Sequence, residues 1–133
     1  MNYQTQVMGL FDIMKENRTN KQAIEGVISY FNDLNKRGLL PGFPEETELR
    51  EKLTWYSQRE WLQQANVTLR RLCAEYNIHI KLDVDSEMDG YAYLATDRGT
   101  LYLHEEKCKS LEPQMIEAIL THEILHLYMA QQT

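Results

Sequence analysis

Apolar residues recur at helical spacing through the first half of the chain and alternate with polar ones soon after its middle. Val7, Leu10, Phe11 and Met14 share one face of a predicted helix, and the turn-forming run Asn17–Asn20 ends it. A second helix is predicted from Lys21, carried by Ile24, Val27, Ile28, Phe31 and Leu34. It closes at Lys36-Arg37-Gly38, where basic residues and a glycine favour termination. Pro41 and Pro44 mark a loop. Leu49, Leu53, Trp55, Tyr56, Trp61, Leu62, Ala65, Leu69 and Leu72 then predict a helical stretch over 45–76, as one bent helix or two, with its large side chains in helix packing.

At Asn77 the period changes. Ile78-His79-Ile80-Lys81-Leu82-Asp83-Val84 alternates in the manner of a half-buried strand, with His79 opposite the isoleucines. Residues 91–95 and 100–104 flank Asp97-Arg98-Gly99, a hairpin connection in which the glycine can take a positive φ. From Leu111 the chain is helical again, with Pro113 acceptable in the first turn. The expectation is an α+β fold in a single domain, 1–133. A helical part occupies 1–76, and a small, mostly antiparallel three-stranded sheet packs on a C-terminal helix within 77–133.

Composition narrows the function classes. Of 133 residues, 43% are apolar and 26% charged, which suits a globular domain rather than a disordered one. The net charge of −6 argues against nucleic acid as partner, since phosphate binding needs a basic face. A helix-turn-helix over 21–40 is weak for the same reason. Neither a signal peptide nor an apolar run long enough for a membrane span is evident, so a cytoplasmic location is expected, with Cys73 and Cys108 as reduced thiols.

The chemistry concentrates in Thr121-His122-Glu123-Ile124-Leu125-His126. His122 and His126 stand one helical turn apart on one face and can offer two imidazoles to one zinc ion. Glu123 lies about 100° around the axis from His122, near such an ion but not on it. There it can take a proton from a zinc-bound water and pass it to a leaving amine. The helix around the motif carries apolar residues on nearly every side (Met115, Ile116, Ala118, Ile119, Leu120, Ile124, Leu125, Leu127), which predicts a central, buried element. Inside such an element the histidines would have to be metal-bound or paired with Glu123.

The stretch from Asp89-Gly90-Tyr91 through Gly99-Thr100-Leu101-Tyr102-Leu103 to Ala118-Ile119-Leu120-Thr121-His122-Glu123-Ile124-Leu125-His126 resembles the ImmA/IrrE-type metallopeptidases, with SprT-like proteases second. The likeness covers about the last 55 residues, and its specific part is H-E-x-x-H. It implies a zincin-like fold, zinc at His122 and His126, and Glu123 as catalytic base. It also implies an edge strand at Gly99–His104, ahead of the helix, that pairs with extended substrate. The substrate implied is a protein: a DNA-binding repressor in the first family, protein bound to DNA in the second.

Both families take a third zinc ligand from downstream of the motif. Here Gln131 and Gln132 are poor ligands. Three sources of completion stand open: an upstream residue (His104 first, then Glu105 or Glu106), a second chain in a homo-oligomer, or none. The last leaves a zincin-like binding or regulatory protein without catalysis. The Glu105-Glu106-Lys107 and Asp83–Asp89 charges lack calcium-loop spacing and read as solvated turns.

Overall fold

A computed structural model describes residues 3–39 and 45–132, so the loop predicted at Pro41 and Pro44 lies outside the described residues. The fold is α+β, with six α-helices and three strands among the described residues. The chain divides into two compact units, one ending at Glu60 and the other beginning at Trp61.

The first unit holds α1 (Tyr3–Lys15), α2 (Asn20–Lys36) and α3 (Glu46–Ser57), each packed on the other two. Asn17 turns the chain at φ 67°, and Thr19 starts α2 through a capping box, its hydroxyl accepting from the Gln22 amide while Gln22 accepts from the Thr19 amide. Phe11, Ala23, Val27, Phe31, Leu53 and Tyr56 are fully enclosed. The Tyr56 ring meets Phe11 edge-on at 5.5 Å between centroids, and its hydroxyl donates to Asp12 at 3.0 Å, so a buried phenol keeps a polar partner. Arg50 pairs with Glu25 across α3 and α2.

The predicted stretch 45–76 is two helices. The second, α4 (Glu60–Tyr76), belongs with the sheet rather than with the helical first half. Between them Arg59 folds back: its guanidinium donates to the Trp55 carbonyl at 2.9 Å and stacks on the Trp55 ring at 4.4 Å. The Trp55 carbonyl, which also accepts from the Gln58 amide, thereby gains a side-chain donor at the end of α3.

In the second unit α4 stops at Tyr76, where Asn77 adopts φ 54° and the Ile78 amide donates back to the Cys73 carbonyl. The strands are β1 (Lys81–Val84), β2 (Ala92–Ala95) and β3 (Thr100–Leu103). Ile78 is buried and His79 exposed, so the alternation is real, but regular pairing begins only at Lys81. A 3-10 turn (Thr96–Arg98) and Gly99 at φ 56° close the predicted β2–β3 hairpin.

The strand order is β1-β3-β2, with β1 parallel and β2 antiparallel to β3. Two expectations are corrected here. The sheet is mixed rather than mostly antiparallel, because the passage through β2 returns the chain to the end from which β1 started. The strand at Gly99–His104 is central rather than an edge, since β3 has a neighbour on each side. The edge nearest the last helix is β2, which packs against α6 (Pro113–Gln131). Leu82, Leu101, Leu103, Ile116, Leu120 and Ile124 form the core of this unit. Glu105-Glu106-Lys107, read from the sequence as a solvated turn, belongs to one helical turn, α5 (Glu105–Cys108). Among the described residues no helix is long and apolar enough to cross a membrane.

Candidate functional site

Pro113 occupies the first turn of α6, where its missing N–H and fixed φ cost nothing. Ile116, Leu120 and Ile124 recur every four residues and form the buried ridge. Tyr128 meets the Tyr76 ring at 5.2 Å and Glu117 pairs with Arg71, tying α6 to α4. The helix is not enclosed all round, contrary to its apolar composition. Met115 is 53% and Met129 65% exposed, and His122 and His126 are exposed with them. A helix with one packed ridge leaves its far side to water, whatever residues it carries.

On that far side the two histidines converge. Their Nε2 atoms lie 2.9 Å apart, with ring centroids at 4.4 Å and planes at 84°. Without an ion one nitrogen carries the proton that the other accepts. Tetrahedral zinc with Zn–N near 2.05 Å holds its donors about 3.3 Å apart, so a few tenths of an ångström of side-chain rotation would admit it. Exposed side chains can make that adjustment. The pair fits as two ligands of a metal.

Glu123, half-buried, lines a groove of about 370 Å³ together with Tyr91, Ala92, Met115, Ala118, Ile119 and His122. One wall of this groove is α6, and the other is the start of β2. Tyr91 is set in place by the segment that follows β3. Its carbonyl accepts from the His104 amide at 2.9 Å, and Lys107 lies 5.7 Å over its ring while donating to the Asp89 carbonyl. The hairpin and α5 thus position one side of the groove, and the buried ridge of α6 positions the other.

His104 does not join the pair. It is the N-cap of α5, where its Nδ1 accepts from the Lys107 amide at 3.2 Å. That cap engages its Nδ1, and among the described residues His104 is not gathered with His122 and His126. Glu106 pairs with Lys109, which holds its carboxyl below the usual range. Among the described residues, no three His, Cys, Asp or Glu side chains gather around one point.

Tyr91 was outside the motif, and only the position of β2 beside α6 gives it a role. Met115, Ala118 and Ile119, read from the sequence as packing of a buried helix, line the groove instead. Comparison of the chain with known protein families, with characterised proteins and with solved structures finds no match. The likeness to ImmA/IrrE-type and SprT-like peptidases rests on the motif residues themselves.

Proposed function

We propose that this chain is a zinc-dependent peptidase in which His122 and His126 hold the metal and Glu123 is the general base. The observation that carries the reading is the convergence of the two Nε2 atoms at 2.9 Å beside a groove that Glu123 lines. Zinc held there supplies Lewis acidity, polarising a peptide carbonyl and acidifying water. Glu123 takes the proton of the attacking water and returns it to the departing amine. Tyr91, Met115, Ala118 and Ile119 give the groove an apolar lining for a side chain next to the scissile bond.

Among the described residues β2 pairs with β3 on one side only, so its outer edge can pair with an extended chain. That arrangement, an antiparallel edge strand facing an H-E-x-x-H helix, supports a zincin-like packing. The substrate class is protein or peptide, such as a regulatory protein of the cytoplasm.

A second reading is a scaffold of the same architecture that binds without hydrolysis. It is favoured by the pair having no third donor among the described residues. Metal analysis combined with cleavage of casein or a quenched fluorogenic peptide separates the two. Under the peptidase reading, His122→Ala releases zinc, whereas Glu123→Gln retains it and lowers turnover by at least about 100-fold. Zinc retention with no hydrolysis by the wild type selects the scaffold. Protein that is zinc-free, with stability unchanged by both substitutions, sinks the peptidase reading and leaves the scaffold.

A further inference from the structure

We propose that the exposed face of α6 is a self-association surface on which two copies of this chain share one zinc ion, each contributing His122 and His126. The proposal rests on these histidines being metal donors and on nothing about hydrolysis. A structural zinc ion takes four ligands, and each chain brings two of them to one point while no third is gathered among the described residues. A second copy brings the same pair, which completes the set without any further residue type.

The surroundings of the pair suit such a partner. At about 100° per residue, Met115, Ala118, His122, His126 and Met129 fall within about 80° of one another around the axis. All five are exposed, and none carries a formal charge. An uncharged stripe lets two molecules of net charge −6 approach here when their other surfaces repel. The stripe is also close to symmetric about the histidines.

With two α6 helices antiparallel and the two-fold axis passing between the histidine turns, His122 faces the partner's His126. Ala118 then faces the partner's Ala130. Alanines on both flanks permit the close approach of helix axes that imidazoles from two chains need to reach one ion. The exposed methionines lie on the same stripe and are covered by the pairing. Four imidazoles leave the ion no open position, so the shared site is a closed one. The pairing also covers the α6 wall of the groove. Groove access therefore belongs to the separated chain.

Sedimentation velocity of the whole chain, in EDTA and with added zinc chloride, tests this when zinc is measured in the resolved species. The expected result is a single chain in EDTA and a doubled mass with zinc, holding one ion per two chains. His122→Ala and His126→Ala each abolish the doubling. Ala118→Glu, on an exposed position that leaves the fold intact by circular dichroism, abolishes it as well. One ion per chain with unchanged mass overturns the sharing but leaves the donors in place. No zinc and no doubling overturns the donors too. Doubling that survives EDTA or the histidine substitutions, or zinc-driven doubling that survives Ala118→Glu, puts the contact elsewhere and overturns the proposal.

Discussion

The exposure of one α6 face underlies everything proposed for this protein, and a pair of substitutions on that helix tests it directly. Leu120 is fully enclosed and Met129 is 65% exposed. Leu120→Ala removes buried carbon worth roughly 2 kcal/mol in transfer from water and leaves a cavity, for a total of about 3 kcal/mol. Met129→Ala removes a side chain already mostly in water and installs a better helix former, so its cost stays within about 0.5 kcal/mol.

Urea unfolding in EDTA followed by circular dichroism, with hydrogen exchange of the α6 amides to isolate the second unit, reads both. With a denaturant slope of about 1.5–2 kcal/mol/M, Leu120→Ala moves the midpoint down by roughly 1.5–2 M, and Met129→Ala leaves it almost unmoved. If Met129→Ala or Met115→Ala costs more than about 2 kcal/mol, α6 is enclosed on all sides. His122 and His126 would then be interior groups satisfying each other, and the metal site would fall with the exposed face.

Three further outcomes are expected. Gly99→Ala should destabilise by about 1–2 kcal/mol in thermal or urea unfolding, because φ 56° strains any residue with a Cβ although space for one is open; an unchanged midpoint would refute this. Asp85 is held below the usual carboxylate range by the Glu87 amide and then by the Tyr93 hydroxyl, so its ionised form favours the folded state. That contribution is present above about pH 4 and is lost as pH falls through the lowered value, so the stability gap between wild type and Asp85→Asn should close on acidification. A gap independent of pH would remove Asp85 from the acid response. Burial pushes the thiols of Cys73 and Cys108 upward. Both should therefore react slowly with an aromatic disulfide reagent at pH 8, with enclosed Cys108 modified only as fast as the chain opens. Cys108 reacting at the rate of a free thiol would contradict its enclosure.

Much of this protein was legible from local pattern, because the features concerned close within a turn or two of the chain. The start of α2, expected at Lys21 and found at Asn20, follows a cap that forms within three residues, between Thr19 and Gln22. The Gly99 hairpin depends on adjacent residues. The meeting of His122 and His126 depends on the pitch of one helix, which is why the spacing alone announced it. The break between α3 and α4 was left open by the periodicity, and it falls at Gln58–Arg59, where the Arg59 side chain donates to the Trp55 carbonyl.

What the sequence withheld depends on partners distant along the chain. Strand order is one such property: the alternation of β3 is the same whether it lies at an edge or between β1 and β2, and only its hydrogen bonds to both make it central. The surroundings of α6 are another. Apolar residues on nearly every side suggested enclosure, yet the packing of Ile116, Leu120 and Ile124 left Met115, Met129 and both histidines outside. His104 offered the right chemistry, and the structure places it as the cap of α5 rather than gathered with the pair. The sequence by itself determined which side chains can converge within a helix or a hairpin. The tertiary structure decided which of them meet water, a neighbouring strand or each other, because those outcomes depend on burial and pairing energies between segments that are far apart in the chain.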